Sequence, residues 1–104
     1  MKKLTNKEIA KICEEMNNKH TEGYYKFKAT QTKNTIKIHW GYLKEISKKD
    51  YFTITKKSID WMDIKENFIV VEDEQGYMIN QDLESDIDII NTIKSTVYYM
   101  ITRY

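Results

Sequence analysis

Three groupings of side chains in this 104-residue sequence have types and spacings that suggest chemistry. The first is Asp50 with Asp63-Ile64-Lys65. Two carboxylates holding a magnesium ion, with a lysine stabilising the attacking water, are the working parts of a small metal-dependent nuclease. That chemistry needs the Asp-x-Lys on a strand, and the surrounding segment reads as helix or turn, so the nuclease is the weakest functional reading. The second is the alternation Asp82, Glu84, Asp86, Asp88, which resembles the start of a calcium loop. Ile87 stands where such a loop needs glycine, and Ile93 where it needs a bidentate glutamate. The third is Cys13 with His20 and His39, whose spacing fits no zinc site. Cys13 lies on the apolar stripe of a helix, where a thiol is packed rather than reactive. Gly23, Gly41 and Gly76 are too scattered to form a phosphate-cradling loop. No metal or cofactor is expected, and the chain is not expected to be an enzyme.

Charge is the stronger signal. Residues 1–57 carry 14 lysines against six acids, whereas residues 58–104 carry three basic side chains against ten acids. The formal net charge of +1 conceals this division, and such asymmetry points to charged partners. On the acidic side, Asp60, Asp63, Glu66, Glu72, Asp73 and Glu74 come close together, followed by Asp82, Glu84, Asp86 and Asp88. Trp61 sits among them as a candidate exposed anchor of the kind protein interfaces use. A negative surface of this type steers association with a basic partner, such as the nucleic-acid channel of another protein.

On the basic side, Lys26, Lys28, Lys37, His39 and Tyr24 fall on one face of two adjacent strands. Lys33, Lys44, Lys48, Lys49, Lys56 and Lys57 lie in the flanking turns. Like charges across a strand pair repel, and phosphates would relieve that, with Tyr24 and Tyr42 offering rings for bases to stack on. Lysine is a point charge, so this face would grip a backbone rather than read a sequence.

These residues must be positioned by local structure that the sequence also marks. Thr5 and Glu8 have capping-box spacing, Leu4 and Ile9 form a hydrophobic staple, and Ile9, Ile12, Cys13 and Met16 make one helical stripe ending at Asn17-Asn18. Period-two alternation follows in residues 24–31 and 34–42, placing Tyr25, Phe27, Ala29, Ile36, Ile38, Trp40 and Tyr42 on an inner face. Residues 43–50 read as loop or a helical turn, and 51–55 as a third strand. Residues 58–67 read as a short helix opened by Ser58, with a strand continuing from Tyr51 as the alternative. A second hairpin spans 68–72 and 76–80 around Asp73-Glu74-Gln75. A last helix begins near Leu83 or Ser85, with Asp86 and Asp88 at its positive end and Tyr98 and Tyr104 able to join its apolar stripe, from which Tyr99 points away.

The expected architecture is a single α+β domain over residues 1–104. It has four to five antiparallel strands packed against an N-terminal and a C-terminal helix, in the order α-β-β-β-(α)-β-β-α. A chain this long forms one core and not two. One cysteine, no apolar leader and no apolar run longer than residues 68–71 suit a reducing cytoplasm. Abundant Lys, Ile, Asn and Tyr follow AT-rich codons, as in many phages and plasmids.

The order of elements and the basic surface resemble the double-stranded-RNA-binding domain. That family places lysines at the start of its last helix, where this chain has Asp82-Leu83-Glu84-Ser85-Asp86-Ile87-Asp88. In general design the chain is similar to small phage proteins that block host defences, anti-CRISPR proteins among them, without a shared motif. The sequence therefore favours a non-catalytic binding module for a protein or nucleoprotein partner, reached through the acidic surface. Direct nucleic-acid binding through the basic face is the alternative. Complementary halves also allow a homodimer.

Overall fold

Alternating apolar and polar residues in the middle of the chain form strands that pair in the order in which they are made. The computed structural model describes residues 3–42 and 45–103, the side chains of Trp61 and Arg103 excepted. Its elements are α1 (Asn6–Thr21), β1 (Tyr25–Gln31), β2 (Thr35–Tyr42), β3 (Tyr51–Trp61), β4 (Ile64–Asp73), β5 (Met78–Leu83), a 3-10 turn (Glu84–Asp86) and α2 (Ile89–Arg103). The five strands form one antiparallel sheet in the order β1-β2-β3-β4-β5. The α+β class and the order of elements are those expected from the sequence.

Helix α1 starts where its capping box lies. The Thr5 hydroxyl accepts from the Glu8 amide at 3.1 Å, and the Thr5 amide donates to the Glu8 carboxylate at 3.3 Å. The helix runs past Asn17-Asn18 to Thr21 and closes with Glu22 in a left-handed conformation. Asn17 is buried for a reason: its side-chain amide donates to the Tyr25 carbonyl at 2.6 Å and its carbonyl accepts from the Tyr25 amide at 3.2 Å. One side chain thus satisfies both backbone groups of Tyr25 on the sheet's β1 edge, which would otherwise be open to another strand. At the other end of β1, Gln31 accepts from the Leu4 amide at 3.1 Å.

Ile9, Cys13, Ala29, Ile36, Ile38, Ile54, Ile69, Val71, Ile93 and Val97 close the main core between one sheet face and the helices. Tyr25, Phe52 and Met100 form a smaller cluster beside it. Tyr99 packs against this cluster, edge-on to Phe52, whereas Tyr98 is exposed. That reverses the expectation that Tyr98 joins the apolar stripe and Tyr99 leaves it; Tyr104 lies outside the described residues. Helix α2 starts at Ile89, later than expected, with the Asp88 carboxylate accepting from the Ile90 amide at 3.0 Å. Asp82 to Asp86 belong instead to the end of β5 and the 3-10 turn.

The short helix expected over residues 58–67 does not form. Strand β3 continues to Trp61, turns through Met62 and Asp63, and returns as β4. Both turn residues have positive φ, 47° and 65°, the backbone of a two-residue hairpin turn normally made by Asn-Gly. With neither glycine nor asparagine present, the turn leaves no mark in the sequence. Beyond the pair Lys57 and Phe68, β3 and β4 continue alone for four more pairs, from Ser58 and Asn67 to Trp61 and Ile64. At ~3.3 Å per residue this is a two-stranded projection of about 13 Å. The molecule is correspondingly long, 49 × 25 × 22 Å.

Candidate functional site

The β3–β4 projection carries exposed apolar side chains. Ile59, Met62 and Ile64 are 47%, 79% and 57% exposed. On the face turned away from the helices, Ile59, Ile64, Glu66 and Phe68 line a shallow depression of about 290 Å³. Contiguous exposed apolar surface on a small protein marks a contact site. The register places the flanking acids: Glu66 opposite Ile59 on this outer face, Asp60 opposite Lys65 on the other face, and Asp63 in the turn. Trp61 lies on β3 at the last pair, its side chain outside the described residues.

Of the remaining acids of the expected surface, Glu72 and Asp73 are engaged internally. Glu72 pairs with Lys57 at 2.9 Å. Asp73 accepts from the Gln75 and Tyr77 amides, each at 2.9 Å, and so builds the β4–β5 turn that also holds Glu74. Asp60, Asp63 and Glu66 are therefore the acids that accompany the exposed apolar tip, divided between its two faces. The signal that found them was charge; the tip's Ile59, Met62 and Ile64 were missed because the segment was read as a helix.

The basic face exists, with its repulsion relieved by register. Lys28 stands opposite His39, Lys26 opposite Gly41, and Lys37 between Thr30 and Thr53, so no two lysines are direct neighbours across strands. The Lys37 ammonium sits 4.0 Å over the Tyr51 ring, and His39 stacks at a tilt on the same ring at 5.2 Å. His39 Nδ1 lies 3.3 Å from the Ser47 carbonyl. Lys33 is exposed in the β1–β2 turn, and Lys44 lies outside the described residues. Lys56 and Lys57 belong to β3, where they meet Glu84 at 3.4 Å and Glu72. Tyr24 and Tyr42 line a cleft with His20 and Tyr98 at the C-terminal ends of the helices.

The nuclease constellation is not assembled. Asp50 precedes β3 and Asp63 follows it, with the strand's 11 residues between them. At the rise of an extended strand they stand about 36 Å apart and cannot share an ion. Among the described residues, no three His, Cys, Asp or Glu side chains group as metal ligands. Cys13 is fully buried, and burial pushes its thiol up to about 12, so no thiolate forms near neutral pH. Among the described residues, no helix is long and apolar enough to cross a membrane.

Comparison with protein-family models, curated proteins and solved structures gives no match.

Proposed function

We propose that this chain is a non-catalytic binding protein whose β3–β4 hairpin engages a protein or nucleoprotein partner. The observation that supports it is the apolar end of a two-stranded projection, Ile59, Met62 and Ile64, exposed beyond the helices and accompanied by Asp60, Asp63 and Glu66. A partner suited to that tip offers an apolar recess rimmed by basic groups, as the nucleic-acid channel of a protein does. Inhibition of such a partner, in the manner of small phage proteins that block host defences, is the biological role that fits. Partners captured from the source cells, then purified and titrated calorimetrically, provide the test. Ile59→Lys with Ile64→Lys is expected to weaken binding at least tenfold, and Lys26→Glu with Lys28→Glu to leave it within about twofold. Equal affinity for the hairpin variant and the unaltered protein would sink the proposal.

A second reading rests on the lysines of β1 and β2, which share one uncovered sheet face with Tyr51. It calls for direct binding of free DNA or RNA that weakens steeply as salt rises. Tight binding lost in Lys26→Glu/Lys28→Glu would favour this reading over the hairpin.

A further inference from the structure

At the opposite end of the strands from Met62, the last turns of α1 and α2 meet the β1–β2 end of the sheet around a cleft of about 640 Å³. Tyr24, Tyr42 and Tyr98 stand around it, 52%, 59% and 48% exposed. Two of these rings are held in place by neighbours. Tyr98 meets His20 edge-on at 5.0 Å, and Tyr42 meets Tyr25 edge-on at 5.4 Å. Burial, with Tyr42 beside it, holds the Tyr25 phenol above its ordinary range.

The carboxylate and both helix ends at the cleft share one sign, and His20 is the basic side chain among the lining residues. Thr21 and Glu22 bring the C-terminal end of α1, and Ile101 and Thr102 the last turn of α2, both carrying the partial negative charge of a helix C-terminus. Glu22 adds a carboxylate, and the described lining includes no lysine or arginine. Ring faces, helix C-termini and a carboxylate all attract cations. The rings favour a bulky, weakly hydrated cation over a compact ammonium, which keeps its water. The volume lies within the range of small-molecule sites, room for a cationic head and the chain that bears it.

We propose that this cleft binds small molecules bearing a methylated ammonium group. An amide ¹H–¹⁵N NMR titration with choline chloride tests it, with the neutral isostere 3,3-dimethylbutan-1-ol as control. Choline is expected to give saturable millimolar shifts confined to residues 20–25, 42 and 98–102, and the alcohol none there. Tyr98→Ala should weaken choline binding roughly three- to tenfold, the worth of one cation–π contact, while Tyr98→Phe retains it. Should Tyr98→Ala fail to fold by circular dichroism, Tyr42→Ala replaces it. Equal affinity for the alcohol, shifts that do not saturate, or an unchanged affinity on loss of the ring would each overturn the proposal. So would co-sedimentation with phosphatidylcholine vesicles without binding of free choline, which would move the chemistry to a lipid surface.

Discussion

Met62 and Asp63 hold a left-handed backbone that costs most residues about 1 kcal/mol or more. Replacing the pair with Asn-Gly, which adopts that turn without strain, is expected to stabilise the protein by about 1 kcal/mol in urea unfolding. If the hairpin is the binding element, the same change weakens the partner complex, because it removes the most exposed apolar side chain of the tip. Cys13 supplies a pH dependence with a definite sign. Its thiol is held up to about 12 in the folded chain, so the native state keeps its proton while an unfolded chain loses it above about pH 9. The native state then binds more protons than the unfolded one, and stability falls as pH rises through that interval. The slope approaches about 1.4 kcal/mol per pH unit. Urea midpoints at pH 8 and pH 10 should separate the unaltered protein from Cys13→Ala, which lacks this component.

Backbone satisfaction decides what happens at the level of elements. Asn17→Ala leaves the Tyr25 amide and carbonyl, both buried, without the partner that serves them, and is expected to cost about 2–4 kcal/mol in chemical denaturation. Gly41→Ala is expected to cost at least as much, since an added Cβ would lie 1.5 Å from the Glu45 carbonyl oxygen. Neither role could be read from the sequence, because each depends on a segment eight residues away or on a returning loop. What the sequence did disclose was everything carried by periodicity or local capping: α1 from Thr5 and Glu8, the inner and outer faces of β1 and β2, and the apolar stripe of α2. It was silent where conformation is set without a marker residue. The Met62-Asp63 turn hid the β3–β4 hairpin, and the Asp73 side chain, by bonding the Tyr77 amide, moved the start of β5 to Met78.

Because the sheet's order is the chain's order, the charge division along the sequence becomes a division across the molecule. The lysines of β1 and β2 lie toward one edge and the acids of β4, β5 and the 3-10 turn toward the other. Lys56 with Glu84 and Lys57 with Glu72 stitch the boundary. These pairs are exposed enough to be weak, and a double-mutant cycle on Lys57 and Glu72 is expected to give no more than about 1 kcal/mol, declining as salt is added. The same arrangement bears on how the protein assembles itself. Each strand joins only its neighbour in sequence through a short connection, whereas α1 and α2, nearly a whole chain apart, must find each other. Long closures are entropically slow, so the meander forms early and the helix pair docks last. Amide exchange in the native protein should therefore reveal the two helices loosening together while β2 and β3 stay shut.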